Sequence, residues 1–139
     1  RGSLESYASA TGVRETAIEM LNDNPKAPSL LRNFAIDDLT SETVFKCAEQ
    51  GDAIANQIFE FTGQILGEAL ANFVMFSSPQ AIVLFGGLTK AGDLILNPTV
   101  QAMETNLIQI FKNKVKILYS DLKEADAAIL GASALVWDA

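Results

Sequence analysis

Histidine is absent from this 139-residue sequence, and cysteine occurs only once, as Cys47. Without histidine, the chain cannot build a histidine-based catalytic triad or a histidine metal site from its own residues. A single cysteine excludes an internal disulfide and favours a reducing, cytoplasmic setting. The sequence also lacks a Walker loop, a carboxylate pair and a basic patch, so we predict no catalytic residue and no metal ligand within it.

Positive charge is scarce as well. Ten Lys and Arg residues stand against 17 Asp and Glu, which gives a net charge of −7. This balance argues against non-specific binding to DNA or to an anionic membrane. No apolar run approaches the ~20 residues that a membrane-spanning helix needs. The sequence opens at Arg1 rather than at methionine, and we interpret it as a piece of a longer protein.

Hydrophobic residues make up 49% of the chain, which is enough for a packed core. Apolar spacing predicts helices and strands in the alternating order of an α/β fold, helix-rich and with few strands. The predicted helices are Ser3–Ala10, Val13–Leu21, Ser41–Gln50, Asp52–Phe76, Pro98–Phe111 and Ala125–Asp138, and the predicted strands are Ala81–Phe85 and Val115–Tyr119. Because a helix joins the two strands, we expect them to be parallel. Two strands are few for this much helix, so we expect further strands from elsewhere in the full-length protein or from a partner chain.

The paired glycines Gly86 and Gly87 are the most informative feature. They directly follow the apolar strand Ala81–Phe85. Glycine has no Cβ, so a ligand can lie against the main chain there, and ligands of α/β proteins bind at the carboxyl ends of strands. Lys90 and Asp93 flank this turn, and they either contact a ribose or phosphate or are solvated turn residues.

Small residues recur every fourth position in the long central helix, at Gly63, Gly67 and Ala71. This line either meets a ligand or a partner helix, or it reflects tight packing within the fold. Glu5 lies on a short predicted helix, where a carboxylate is usually a surface charge.

Six segments of the chain occur in one order that is specific, although each segment alone is not. They are Gly2–Val13 (GSLESYASATGV), Thr43–Asp52, Leu66–Asn72 (LGEALAN), Ser78–Gly87 (SPQAIVLFGG), Ala91–Asp93 and Ala125–Ala134. Together they resemble the C-terminal portion of the ROK family, which comprises bacterial sugar kinases and sugar-responsive repressors. The resemblance covers nearly the whole chain.

The resemblance implies an actin-like, ribonuclease-H-like ATPase fold with two lobes. Residues 1–139 would form a C-terminal segment of it, without the N-terminal lobe. ROK kinases phosphorylate a hexose, commonly glucose, with MgATP, and their catalytic aspartate and phosphate-binding glycine loop belong to the N-terminal lobe. The resemblance therefore implies a cytoplasmic, glucokinase-like enzyme of which this chain alone is inactive.

Three positions of the chain match family motifs, and a fourth departs from one. Glu5 matches the closing glutamate of the zinc motif Cys-x-Cys-Gly-x-x-Gly-Cys-x-Glu, which binds sugar hydroxyls. Gly86 and Gly87 match the glycines that let the adenosine of ATP approach the main chain. Ser3 replaces the last zinc cysteine of the motif, and a hydroxyl is a poor zinc ligand, so the match argues against a zinc site.

Two other functions stay open at this point. The chain would also fit the sugar-sensing domain of a ROK transcriptional repressor, whose DNA-binding winged helix would lie at its far N-terminus, or a structural fragment without activity. In neither case does this segment itself contact nucleic acid. Because a sheet that is short of strands leaves an unpaired edge, we also expect a homo-oligomer or association with another chain.

Overall fold

The computed structural model describes residues 2–122 together with Leu130 and Ser133. In these residues the helices are α1 (Ala10–Asp23), α2 (Ser41–Glu49), α3 (Ala53–Ser77) and α4 (Asp93–Asn106), and the strands are β1 (Ala81–Leu84) and β2 (Lys116–Tyr119). Short 3₁₀ helices form at Leu4–Ser6, Leu30–Asn33, Ile36–Asp38 and Gly87–Ala91. The helix predicted at Ala125–Asp138 falls outside the described residues, apart from Leu130 and Ser133.

The two strands are parallel, as predicted. Their register pairs Ala81 with Lys116 at one end and Leu84 with Tyr119 at the other. The side chains of Ile82, Leu84 and Ile117 pack on one face of the sheet against a core formed by α3 and α4. Because successive side chains of a strand alternate between faces, Val83 and Leu118 lie on the other face, where both are exposed in the described part of the chain.

Helix α3 is the centre of the fold and separates two apolar cores. Its N-terminal half, including Ile58 and Phe59, packs with α1, α2 and the 3₁₀ helix Gly87–Ala91. Its C-terminal half, including Leu70 and Val74, packs with α4 and the sheet. Asp52 caps the start of α3 by accepting a hydrogen bond from the Ala55 N–H at 2.8 Å, and Ser78 ends the helix in a left-handed conformation.

The line of small residues on α3 serves tight packing against α4. A Cβ on Gly63 would lie 2.6 Å from Cγ of Pro98, and a Cβ on Gly67 would lie 2.7 Å from Cβ of Ala102. Both separations are far below van der Waals contact, so glycine is what allows the two helices to approach this closely. Of the two interpretations drawn from the sequence, packing within the fold is therefore confirmed at Gly63 and Gly67.

Three predicted helix boundaries are wrong. The pair Thr11-Gly12 does not end a helix but lies in the first turn of α1, where the Gly12 N–H donates to the Ser9 hydroxyl at 3.0 Å. Helix α4 begins at Asp93 rather than at Pro98, which lies inside it, and ends at Asn106 rather than at Phe111. Gly92 starts α4 earlier than expected, because its turn (φ 53°, ψ −130°) aligns the chain for helix directly after the 3₁₀ helix.

None of the helices in the described residues combines the length and apolar character needed to cross a membrane.

Candidate functional site

The glycine turn predicted from the sequence lies at the carboxyl end of β1. Gly86 has φ 109° and ψ 177°, a conformation found almost only in glycine, and the 3₁₀ helix Gly87–Ala91 follows it directly. A Cβ built on Gly87 would meet no described atom within 4 Å. The two glycines therefore have different roles: Gly86 is required by its backbone angles, whereas Gly87 leaves the main chain accessible.

Side-chain hydroxyls fix both ends of this turn. The Thr89 hydroxyl donates to the Gly86 carbonyl oxygen at 2.7 Å, and the Tyr119 hydroxyl donates to the Gly92 carbonyl oxygen at 2.8 Å. Burial, followed by the nearby Asp93 carboxylate, raises the pKa of the Tyr119 phenol. Tyr119 therefore keeps its proton at neutral pH and remains a donor.

A cavity of about 210 Å³ opens between the glycine turn and the N-terminal end of α2. Its apolar walls are Phe45, Phe59 and Leu88, with the rings of Phe45 and Phe59 edge to face at 6.5 Å. Gly87 lines one side of it. Sites for whole drug-sized ligands are usually ~300–1,000 Å³, so this cavity suits one flat ring system rather than an entire ligand.

Charged groups stand at the rim of the cavity, where Glu42 and Lys90 both line it. Lys46 forms an ion pair with Glu42, Nζ to Oε1 at 2.7 Å. The hydrogen bond and charge of Lys46 lower the pKa of the Glu42 carboxyl, and Lys90 adds a smaller effect in the same direction. The two ammonium groups outnumber the one carboxylate, so these three groups together carry a positive net charge, whereas the whole chain has a net charge of −7.

A larger groove of about 490 Å³ lies between the outer sides of α3 and α4. It is open, and its walls carry polar side chains such as Glu60, Gln64 and Gln101. None of the residues predicted to bind a ligand lines it. We therefore assign the candidate site to the smaller cavity, because that cavity joins apolar walls to the accessible backbone of Gly87.

Glu5 lies in the 3₁₀ helix Leu4–Ser6, and its side chain is exposed. The turn is held by Ser3, whose hydroxyl accepts from the Ser6 N–H at 3.4 Å, and by the Ser6 hydroxyl, which donates to the Ser3 carbonyl oxygen at 2.7 Å. No hydrogen bond joins the Glu5 carboxylate to another described residue. Ser3 thus acts as a helix cap, which is a structural use of its hydroxyl.

The structure does not bring Glu5 and the glycine turn together. Tyr7, two residues after Glu5, packs its ring on Phe61 at 6.1 Å, whereas Gly87 shares the cavity with Phe59. Residues two apart on an α-helix point about 200° apart, so Tyr7 and the glycine turn lie against different faces of α3. A single extended ligand, or two ligands, would be needed to use both.

Other reactive groups in the described residues offer no further chemistry. Cys47 is buried in the first core, and burial together with Asp52 raises the pKa of its thiol, so it remains a neutral, inert group. No group of three or more Cys, Asp and Glu side chains within residues 2–122 lies close enough together to hold a metal ion.

Sequence reasoning missed the cavity walls and the role of Tyr119. In the sequence, Phe45 and Phe59 are only apolar positions of two helices, because the contact between their rings depends on how α2 packs against α3. Tyr119 carried a usable signal, since it ends β2. The carboxyl ends of neighbouring parallel strands meet at one edge of the sheet, and Tyr119 pairs with Leu84 just before the glycine turn.

A family model described as the ROK family matches residues 1–139. The chain belongs to the ROK family. A glucokinase of Halalkalibacterium halodurans is 32% identical over 97% of the chain and 41% of its own length. The DNA-binding transcriptional dual regulator NagC of Escherichia coli is 27% identical over 97% of the chain and 32% of its own length.

The fold agrees with this assignment. A crystal structure of a ROK family glucokinase from Streptomyces griseus in complex with glucose and AMPPNP superposes with a TM-score of 0.81, at 27% identity, over 97% of the chain and 44% of that protein. The predicted fold class is thus confirmed: the chain is a helix-rich α/β part of the actin-like ATPase fold of ROK sugar kinases. It spans less than half the length of each of these relatives, which include both kinases and a regulator.

Proposed function

We propose that this chain is the C-terminal segment of a cytoplasmic ROK sugar kinase that phosphorylates a hexose, with glucose the leading candidate, using MgATP. The observation that carries the proposal is the accessible backbone of Gly87 beside a cavity with apolar walls and a charged rim. These features fit the nucleoside end of ATP. The flat heteroaromatic ring would lie in the cavity, and the ribose and phosphates would lie at the charged rim. The ROK glucokinase solved with glucose and AMPPNP supports this choice of ligands.

In this proposal Glu5 accepts hydrogen bonds from hydroxyl groups of the sugar. Its side chain is exposed and has no hydrogen-bond partner among the described residues, which is compatible with binding a sugar hydroxyl. In ROK kinases the catalytic aspartate belongs to the N-terminal lobe, and no group of three or more possible metal ligands occurs in the described residues of this chain. We therefore place those groups in the N-terminal lobe of the full-length protein. Zinc is not part of the proposal, because Ser3 uses its hydroxyl as a helix cap.

Calorimetry on the full-length protein tests the two roles separately. The Cβ that Gly87→Val adds would meet no described protein atom within 4 Å, so we expect the fold to persist while adenosine is excluded. We expect weaker binding of AMPPNP and unchanged binding of glucose. Glu5→Gln should do the reverse, and loss of a charged hydrogen-bond partner corresponds to roughly a ten- to hundredfold loss of affinity.

Each variant thus serves as the control for the other, with folding verified by circular dichroism. Equal weakening of both ligands in either variant would mean that a structural residue has been mistaken for a binding residue.

A second function is favoured by one observation, the 27% identity to NagC over 97% of the chain. In that case the segment belongs to the sugar-sensing domain of a transcriptional repressor. An aspartate-glycine-glycine phosphate loop upstream would favour the kinase, and an upstream helix-turn-helix would favour the repressor. A repressor would also bind sugar at Glu5 without any effect of Gly87→Val on ligand binding.

A further inference from the structure

The segment from Gly86 to Gly92 is short, and little of its own secondary structure stabilises it. It consists of a five-residue 3₁₀ helix between two glycines with positive φ, 109° at Gly86 and 53° at Gly92. Hydrogen-bond geometry in 3₁₀ helices is poorer than in α-helices. Leu88 and Ala91 pack the middle of this segment against the first core, and its ends depend on the hydrogen bonds that hold them.

The Gly92 end is held by β2. The Gly92 carbonyl oxygen accepts from the N–H groups of Ile95 and Leu96, at 3.2 and 3.0 Å, which are bonds within the first turn of α4. The Tyr119 hydroxyl supplies the third bond to the same oxygen, at 2.8 Å. Among the side-chain contacts found in residues 2–122, this bond joins the Gly92 end of the segment to the sheet. The other two bonds join it to α4.

We propose that Tyr119 is a positioning residue for the nucleotide site, acting through the Gly92 carbonyl to hold the Gly87–Ala91 wall of the cavity in place. The inference rests on the proposed function, because it takes that cavity as the adenosine site. Gly87, Leu88, Lys90 and Ala91 all line the cavity, and Gly92 is the next residue along the chain. A shift of the Gly92 end therefore moves the cavity wall directly.

Thr89 plays the corresponding part at the other end of the segment. Its hydroxyl donates to the Gly86 carbonyl oxygen at 2.7 Å, so one hydroxyl anchors each end. The difference is that Thr89 acts within the segment, three residues from its partner, whereas Tyr119 reaches it from β2, 27 residues away. Of these two hydroxyls, that of Tyr119 is the one that joins the segment to β2.

The test uses Tyr119→Phe in the full-length protein, since this change removes the hydroxyl and keeps the ring. We expect the dissociation constant of AMPPNP to rise about two- to tenfold, the scale of one neutral hydrogen bond, with glucose binding unchanged. In a kinase assay, KM for ATP should rise while kcat and KM for glucose stay the same. Hydrogen exchange at the amides of residues 88–92 should become faster.

Tyr7→Phe is the matched control, because it makes the same chemical change at the other tyrosine and should leave AMPPNP affinity unchanged. Thr89→Val should weaken AMPPNP binding, and Thr89→Ser, which keeps the hydroxyl, should restore it. If Tyr119→Phe binds AMPPNP as the parent does, Tyr119 is a structural residue only and the inference is wrong, whether or not amide exchange changes. If the parent protein itself binds no AMPPNP, the proposed function fails and takes the inference with it.

Discussion

At the scale of single residues, Gly86 and Gly87 are neighbours with different physical requirements. Gly86 occupies a region of backbone angles, φ 109° and ψ 177°, that costs other residues about 1–3 kcal/mol. Gly87 has no positive φ and open space where a Cβ would stand. We expect Gly86→Ala to lower the free energy of unfolding by about 1–3 kcal/mol.

Gly87→Ala is the matched control and should change the free energy of unfolding by no more than about 0.5 kcal/mol, as for other unstrained surface positions. Urea titrations of both variants measure the difference. Equal destabilisation by the two substitutions would show that the structural distinction between these glycines is wrong.

Asp52 is a second residue whose contribution to stability can be tested, because it is buried and hydrogen-bonded. Only 6% of its surface is exposed, and its two carboxylate oxygens accept separate N–H groups, from Ala55 in α3 and from Leu30 in the preceding 3₁₀ helix. Asp52→Ala leaves both donors without this partner and should cost about 1.5–3 kcal/mol of stability. Thr40→Ala removes the exposed cap of α2 and should cost about 1 kcal/mol. Denaturation of the two variants showing the opposite order would contradict this account of Asp52.

Among the elements, the contact between α3 and α4 opposes two effects on residue choice. Helix propensity favours alanine in α3, whereas close packing against α4 requires glycine. Alanine is favoured over glycine by about 1 kcal/mol in a helix interior. At Gly67, however, an added Cβ would lie within 3 Å of three atoms of α4, two of them backbone. Since overpacking a core typically costs about 1–3 kcal/mol, we expect Gly67→Ala to destabilise the protein.

Asn72→Ala provides the control on the same helix, because Asn72 is exposed and only local preference applies. This variant should gain about 0.5 kcal/mol. A rise in the thermal midpoint for both variants would mean that α3 and α4 pack less closely than the structure shows.

The elements also show how far sequence reasoning reaches. The apolar spacing of Asp52–Phe76 and the apolar run Ala81–Phe85 predicted α3 and β1 to within a residue or two, because such patterns are strong local signals. The start of α1 was missed because the pair Thr11-Gly12 resembles a helix stop, although Ser9 just before it is a strong capping residue. Pro98 was placed in a first turn, but its ring packs against Gly63, a tertiary contact that no local pattern contains.

The residues of the candidate site likewise differ in how far the sequence predicted them. Gly86 and Gly87 stood out in the sequence because a strand ended in paired glycines, and their binding role remains a prediction. Glu5 had no signal of its own and was singled out only by resemblance to the ROK family. The cavity beside Gly87 arises from three separate elements, so its walls could not be derived from one stretch of sequence.

At the scale of the whole molecule, apolar side chains are exposed in the described part of the chain. Phe76 is 93% exposed and Phe73 54% at the end of α3, and Val83 is 58% exposed on the open face of the sheet. Exposed apolar groups of this kind favour association. We expect the isolated chain to self-associate in multi-angle light scattering, and Phe76→Lys to reduce the apparent mass.

Because Phe76→Lys also makes the net charge of −7 less negative, Gln57→Lys at an exposed position elsewhere on α3 controls for charge. It should associate like the parent. A parent chain that stays monomeric at high concentration would remove the basis for the predicted homo-oligomer.

Glucose-dependent formation of ADP from MgATP tests the proposed kinase activity most directly. It is measured on the full-length protein and on the 139-residue chain side by side. Positioning and electrostatic stabilisation supply nearly all phosphoryl-transfer catalysis, and the described residues hold no cluster of groups for Mg²⁺. We therefore predict turnover by the full-length protein and none by the chain alone. A full-length protein that binds glucose without forming ADP, or a chain that turns over by itself above a protein-free blank, would contradict the account.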